Sequence, residues 1–350
     1  MAYTTISKPS LHFNTLLYTG TGAENALTGV GFQPDLIWLK KRTESGHHFL
    51  QDAVRGATYQ IKSSTSDAET NYSQYVKSIQ SDGFTLGTDT DVNKNTIPAV
   101  AWNWKAGTTG SGTSTGSGTG KAYSYSVNTT SGFSIVKYIG NGTAGHTIPH
   151  HLGIAPTYTI VKALGNTESW QVITSGMDVD KFIQLDSSNA QISQGSYNMF
   201  NSTRPSSTVV TLGNQNHTNQ NDTNYIMYNF CNIKGFSKSG SYTGNGNADG
   251  TFIYTGFKPA WVLTKELPNS SSWDMHDNKR DPHNVCSKYL LAEDTGAEGS
   301  TDMLDFLSNG FKFRSSNGDR NQSGASYIYM AFAEEPLVAN VGASIPATAR

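Results

Sequence analysis

The chain has 350 residues, enough for two or three domains, but only 15% of them are charged and the formal net charge is −2. This balance gives no positive field for a phosphate backbone, so we expect no nucleic-acid partner. No apolar run reaches the roughly eighteen residues of a membrane span, and the N-terminus lacks the features of a signal peptide, so we expect a soluble protein without membrane insertion.

In chain order, the first predicted element is an extended polar arm at residues 1–12, which we expect to be ordered by packing on a neighbour. The run GFQPDLIWLK at 31–40 follows and reads as a buried strand. Apolar residues at helical spacing in 66–81 predict a short helix there. The first unit ends near residue 105 with the aromatic strand AVAWNW at 99–104.

The run at 31–40 occurs twice more, as GIAPTYTIVK at 153–162 and GFKPAWVLTK at 256–265. An aromatic–glycine turn precedes each copy, and an aromatic-rich strand closes each one. Eight residues after the final lysine of the copies stand His48, Trp170 and Trp273, which indicates a packing position. Recurrence in one order predicts three tandem homologous units, which we place at 13–105, 124–234 and 235–338.

The composition of each unit, rich in glycine, aromatic residues and polar turns, predicts a small antiparallel β-sandwich of six or seven strands. The fold class is therefore all-β. Residues 106–123 are rich in glycine, serine and threonine and read as a flexible linker, with the first unit hinged or swapped relative to a rigid pair of later units. The tail at 339–350 reads as a docking segment or a frayed end.

One polar loop resembles the start of a calcium-binding loop, because Asp89, Asp91 and Asn93 place oxygen ligands at alternate positions. The sixth position is Lys94 instead of glycine and the twelfth is Val100 instead of glutamate. A solvated loop is therefore the favoured interpretation, with calcium as the alternative and no other cofactor expected.

The six tryptophans are candidates for sugar-stacking platforms. Five fall on landmarks of the repeat and are predicted to be core residues. The sixth lies in a polar stretch of the third unit, which predicts a ligand contact surface formed by Trp273, Asp274, His276 and Arg280. The same stretch is dense in carboxylates, and a glycan hydrolase needs two of them facing one bond. The first two units do not repeat these carboxylates, so we predict no enzymatic activity and no catalytic residue.

Three stretches resemble a known family. They are the opening MAYTTI with LYTGTG, the run from GFQPDLIWLK to VAWNWKAG, and the closing YIYMAFAEEPLV. They are similar to poorly characterised virion proteins of marine bacteriophages, including phages of cyanobacteria, that are often labelled tail-fibre-like or structural. The resemblance implies a lectin-like or jelly-roll-like β-sandwich on the surface of a virion that is assembled in the bacterial cytoplasm. It implies no catalytic residues.

We therefore expect a virion surface protein, most simply a fibre or adhesin subunit of the tail or head that serves particle assembly and host attachment. The expected partners are other capsid or tail proteins, further copies of the chain, with a trimer by analogy with phage fibres, and glycans of the host surface. A capsid decoration or cement protein is the first alternative. A polysaccharide depolymerase is the second.

Overall fold

The structure is a computed structural model that describes residues 4–195 and 197–338. It is all-β, with 46% of the residues in strands and 4% in helices. The strands pair in antiparallel sheets, as in a β-sandwich. The N-terminal residues form a short 3₁₀ turn at Pro9–Leu11 before the first strand.

Sheet 1 is built from the first third of the chain. Its strands are ordered β1-β9-β3-β4-β5-β6, and a small sheet, β2-β8-β7, covers one face. The elements are β1 (Phe13–Thr19), β2 (Asn25–Thr28), β3 (Leu36–Lys41), β4 (Phe49–Asp52), β5 (Tyr59–Lys62), β6 (Thr70–Asn71), β7 (Val76–Gln80), β8 (Gly83–Leu86), α1 (Thr90–Asn93) and β9 (Pro98–Trp104).

Sheet 2 has eight strands in the order β10-β12-β13-β20-β15-β16-β17-β18, and the small sheet β11-β14-β19 covers it. The elements are β10 (Thr108–Thr113), β11 (Thr115–Gly116), β12 (Ala122–Asn128), β13 (Phe133–Ile139), β14 (His146–Pro149), β15 (Tyr158–Ala163), β16 (Gln171–Thr174), β17 (Lys181–Gln184), β18 (Ile192–Ser193), β19 (Val209–Leu212), α2 (Asn216–Asn219) and β20 (Asn224–Phe230).

Sheet 3 also has eight strands, in the order β21-β28-β23-β24-β25-β26-β27-β22. Its last three strands pack over β21, β23 and β28, and the two layers share one hydrophobic core. The elements are β21 (Ser237–Thr243), β22 (Phe252–Tyr254), β23 (Phe257–Glu266), β24 (Asp274–Asp277), β25 (Cys286–Leu291), β26 (Gly299–Leu307), β27 (Gly310–Phe313), α3 (Gly318–Asn321) and β28 (Ser326–Pro336).

The closing strand of each sheet is buried on both faces. In β9, Ala99 and Ala101 pack inside the sheet's own sandwich, while Trp102 and Trp104 face a core shared by all three sheets. The same alternation holds for β20 and β28. Because side chains alternate along a strand, a strand covered on both faces needs apolar residues at almost every position. This explains the continuous aromatic-rich runs that close each copy of the repeat.

The glycine-rich segment predicted to be a flexible linker is an ordered part of sheet 2, so that prediction is wrong. Thr108–Thr113 pairs with β12 over six residues, and Thr115–Gly116 pairs with β14. The rings of Tyr125 and Tyr123 lie over Gly110 and Gly112, where an added Cβ would come within 2.5 Å and 2.7 Å of their hydroxyl oxygens. Neighbouring aromatic rings thus supply the apolar cover that glycine lacks.

Two other local predictions are corrected. Residues 66–81 form no helix but contain β6 and β7, because Val76 packs into the sandwich core of sheet 1 and tertiary burial overrides the helical spacing. The N-terminal arm is ordered by its own chain. Thr4 donates from Oγ1 to the Lys234 carbonyl at 2.6 Å, and Ile6 is buried in the shared core. The predicted tail at 339–350 lies outside the described residues.

Candidate functional site at the junctions of the three sheets

The three sheets meet at a triangle of aromatic rings. Trp104, Phe230 and Phe332 are the last aromatic residues of β9, β20 and β28. Their ring centroids lie 5.7 to 6.3 Å apart, with interplanar angles of 62° to 73°. These are edge-to-face contacts, which the aromatic quadrupole favours over face-to-face stacking. One residue from each copy of the repeat therefore closes the centre of the molecule.

The lysine that ends each copy of the repeated run is buried where two sheets meet. Lys40 Nζ donates to the Thr295 carbonyl at 3.0 Å, which joins sheet 1 to sheet 3. Lys162 Nζ donates to the Ser66 carbonyl at 3.2 Å, and Lys265 Nζ donates to the Ser188 carbonyl at 3.3 Å. The lysine of sheet 1 thus bonds to sheet 3, that of sheet 2 to sheet 1 and that of sheet 3 to sheet 2, so the three bonds follow one direction around the molecule.

Burial lowers the pKa of all three lysine amines from 10.5 to about 8, because an ammonium loses its hydration in these junctions. Nearby carboxylates oppose this effect, Asp294 at Lys40, Asp186 at Lys162 and Glu293 at Lys265. The sequence showed the lysine at a fixed position but not its role.

The position eight residues after each lysine is fully buried, as predicted for a packing position. Trp170 Nε1 donates to the Lys62 carbonyl at 2.9 Å, and Trp273 Nε1 donates to the Gln184 carbonyl at 2.9 Å. Each indole thus reaches the backbone of the preceding sheet. The equivalent residue of sheet 1 is His48, at the junction with sheet 3. It accepts a 2.9 Å hydrogen bond at Nδ1 from Trp38 Nε1 and stacks on Trp102.

Two junctions also contain a buried carboxylate–guanidinium pair. Arg55 Nε donates to Asp52 Oδ2 at 2.5 Å, and the Tyr228 hydroxyl of sheet 2 donates to the same oxygen at 2.7 Å. Arg280 Nε donates to Asp277 Oδ2 at 2.5 Å, and Trp102 Nε1 of sheet 1 donates to that oxygen at 3.0 Å. In sheet 2 the corresponding positions are Thr174 and Met177.

The predicted ligand contact surface is corrected by this geometry. Trp273, Asp274 and His276 are 0% exposed and Arg280 is 5% exposed, so all four residues are core or junction residues. The polar character that suggested a surface loop instead supplies buried hydrogen bonds. Asp274 accepts from Arg320 Nη2 at 2.5 Å, and burial raises the pKa of this carboxyl to about 7.

The calcium-like loop forms the first of three one-turn helices. The Asp89 carboxylate accepts from the Asp91 N–H at 2.7 Å and caps α1. Asn93 is fully buried, and its amide nitrogen donates to the Gly87 and Ala23 carbonyls, both at 2.6 Å. The three side chains therefore do not converge on a common point, and the asparagine amide holds the backbone.

Sequence reasoning missed the structural role of this asparagine, which recurs as Asn219 in α2 and Asn321 in α3. Each amide oxygen accepts from the backbone N–H in the aromatic–glycine turn, at Thr21, Asn141 and Asn245. Each amide nitrogen donates to two backbone carbonyls, as in the first copy. The signal that could have revealed it is an asparagine five residues before the first residue of each closing strand, Pro98, Asn224 and Ser326.

An exposed aromatic ledge lies on sheet 3, and the sequence analysis did not single it out. Phe252 is 42% exposed and Tyr254 is 50% exposed, and they stand on the same face of the edge strand β22. Lys238 Nζ lies 5.3 Å from the centroid of the Tyr254 ring. Beside them is a groove of about 340 Å³ lined by Asn232, Lys238, Tyr254 and Thr255. We call these residues the β22 ledge.

In the described part of the chain, no three His, Cys, Asp or Glu side chains gather in a group that could hold a metal ion. The two cysteines, Cys231 and Cys286, are buried free thiols. No helix among the described residues has the length and apolar character needed to cross a membrane.

Comparison with known proteins gives one family. No curated protein matches the chain. A family model described as a domain of unknown function, DUF7483, matches residues 8–336, from the N-terminal arm through the last strand of sheet 3. The matched stretch covers all three sheets, and the chain belongs to the DUF7483 family.

Proposed function

We propose that the chain consists of three homologous β-sandwich units arranged around a pseudo-three-fold axis, so that one chain has the architecture of a trimer. The observation that carries this proposal is the recurrence of the lysine bond at all three junctions. Lys40, Lys162 and Lys265 each bind a carbonyl of the neighbouring sheet. A chance succession of sheets would not place the same side chain at each contact.

This architecture supports a structural and attachment role on the surface of a virion, which is the role that the resemblance to marine phage proteins implies. The buried charges of sheet 3 are paired within that sheet, Arg280 with Asp277 and Arg320 with Asp274, and Asp277 also accepts a hydrogen bond from Trp102 of sheet 1. The result is a rigid support with short polar loops at its periphery. Rigid supports of this kind suit repeated weak contacts multiplied by copy number.

The β22 ledge is the surface best suited to contact a host glycan. Aromatic rings present a flat apolar face together with a polar edge, and Tyr254 also carries a hydroxyl. Lys238 adds a cation beside the ring, and no acidic partner for it is found among the ion pairs of the described residues. An acidic sugar would meet both the aromatic face and the ammonium.

Labelling of intact particles with gold-conjugated antibody against the purified chain tests the location. Gold on the tail or on fibres is the expected result. Gold distributed over the head would favour a decoration or cement protein, and particles without gold would contradict a virion role.

Binding of the purified chain to a glycan array tests attachment separately. We expect binding to acidic glycans that is lost in Tyr254→Ala and weakened in Lys238→Ala. Tyr72→Ala is the matched control, because Tyr72 is also an exposed tyrosine, 43% accessible, but directly follows β6 of sheet 1. Equal binding by the Tyr254→Ala and Tyr72→Ala variants would exclude the ledge as the contact site.

A further inference from the structure

Sheet 2 ends in an unpaired edge. In sheets 1 and 3 the edge strand is β1 or β21, each of which corresponds to β13 of sheet 2. Sheet 2 has two further strands, β12 and β10, beyond β13. Among the described strands, β10 pairs with β12 alone. Thr109, Ser111 and Thr113 of β10 are all exposed. The outer edge of β10 is therefore open to another strand.

The hydrogen-bonding direction of this edge follows from one contact. The Ser114 N–H donates to the Lys121 carbonyl at 2.8 Å, so Ser114 points its backbone groups toward the β12 side. In an antiparallel ladder this direction alternates along the strand. The N–H and C=O groups of Thr109, Ser111 and Thr113 consequently point outward, where a further strand would bind them.

The edge also lacks the features that usually prevent strand pairing. Natural edge strands carry lysine, proline or a bulge that blocks a second chain. The β10 sequence TTGSGT contains no charged residue and no proline, and its register with β12 runs through six residue pairs without interruption. The rings of Tyr125 and Tyr123 pack over Gly110 and Gly112 and hold the strand in place.

The sequence of the edge is the same in both directions. Residues 109–113 read TGSGT forwards and backwards. If two copies pair antiparallel with Ser111 opposite Ser111, Thr109 lies opposite Thr113 and Gly110 opposite Gly112. Cross-strand threonine pairs are favourable, and an interface that uses the same patch on both subunits is the usual form of a two-fold dimer.

We infer that the occupant of this edge is a second copy of the same chain, paired through β10 about a two-fold axis at Ser111. All three outward-facing residues then lie in hydrogen-bonded pairs, and the two eight-stranded sheets become one continuous sheet. This inference does not depend on the proposed attachment function, and it specifies a dimer where the fibre analogy suggests a trimer.

Light scattering on the full chain during size-exclusion chromatography tests the inference. The chain mass is 37.8 kDa, so a dimer has twice that mass, 75.6 kDa. Ser111→Lys places two ammonium groups opposite each other at the two-fold axis, and we expect it to run as a monomer. Thr119→Lys is the matched control, because Thr119 is exposed and follows the strand, and it should remain dimeric.

Hydrogen exchange of the wild-type chain gives a second readout that needs no variant. The amides of Thr109, Ser111 and Thr113 should exchange slowly in concentrated solution and fast on dilution. The inference is overturned if the wild type runs at the monomer or trimer mass throughout a dilution series. It is equally overturned if Ser111→Lys stays dimeric while folded, or if these amides exchange fast at every concentration.

Discussion

The buried lysines predict an unusual pH dependence of stability, which a Lys162→Met substitution isolates. Burial lowers the pKa of the Lys162 amine from 10.5 to about 8, so the unfolded chain binds this proton more strongly than the folded chain does. Below pH 8 both states are protonated and the folded state carries the whole cost of a buried ammonium. Above pH 10.5 both amines are neutral and the cost is gone. The free energy of unfolding therefore rises with pH between these limits.

The magnitude follows from the shift. A lowering from 10.5 to about 8 corresponds to a total of about 3 kcal/mol for one lysine, at about 1.4 kcal/mol per pKa unit. Over the practical window from pH 7.5 to 9.0, the linkage relation gives about 1.2 kcal/mol per lysine. Lys40 and Lys265 have pKa values lowered to about 8 as well, so the three lysines together should contribute a rise of about 4 kcal/mol across this window.

Urea unfolding followed by tryptophan fluorescence at several pH values measures this slope. Lys162→Met should lose about one third of the rise, whereas Lys77→Met, at an exposed lysine paired with Glu24, should keep all of it. The window stops at pH 9.0 because burial raises the pKa of Cys231 and Cys286 to about 12, which lowers stability once unfolded thiols ionise. A flat or falling wild-type curve, or an unchanged slope in Lys162→Met, would refute the reasoning.

Three further outcomes are expected. Asn93→Ala should lower the free energy of unfolding by roughly 3 kcal/mol, because one buried and two partly buried hydrogen bonds to the backbone are lost. An effect below about 1 kcal/mol in urea unfolding would contradict this role. Arg55→Met alone should lower the free energy of unfolding by about 3–5 kcal/mol, because it leaves a buried carboxylate unpaired. Combining it with Asp52→Thr gives the residue types found in sheet 2 and should recover most of that loss, which a double-mutant cycle measures. Trp273→Ala should lower the free energy of unfolding by about 3–5 kcal/mol, because it leaves a cavity in the core. Tyr254→Ala, at an exposed residue, should change it by less than about 0.5 kcal/mol, and thermal unfolding compares the two variants.

The features visible in the sequence were those set by local periodicity. The repeated run predicted the β3, β15 and β23 strands, and the aromatic-rich runs predicted β9, β20 and β28. Burial of His48 and Trp170 was also foreseen, because large ring side chains at one position of the repeat indicate packing. These predictions needed only the pattern within one unit.

The predictions that failed depend on contacts between distant parts of the chain. The glycine-rich segment looked like a linker because the tyrosines that cover Gly110 and Gly112 lie on the next strand. Trp273 looked exposed because its polar neighbours bond across a junction, as Asp277 does with Trp102 of sheet 1. The junction partner of each repeated lysine lies between 77 and 255 residues away, so neither composition nor spacing reveals it.

The bond from Trp102 to Asp277 joins residues 175 positions apart and has a consequence for synthesis. Ribosomes add about 5–20 residues per second, so roughly 9–35 s pass between the appearance of the indole and that of its acceptor. During that time the face of sheet 1 that carries Trp102 and Trp104 has no third sheet to cover it. The newly made N-terminal part should therefore be a client for chaperones that bind exposed aromatic surface, and its aggregation should decrease when translation is fast.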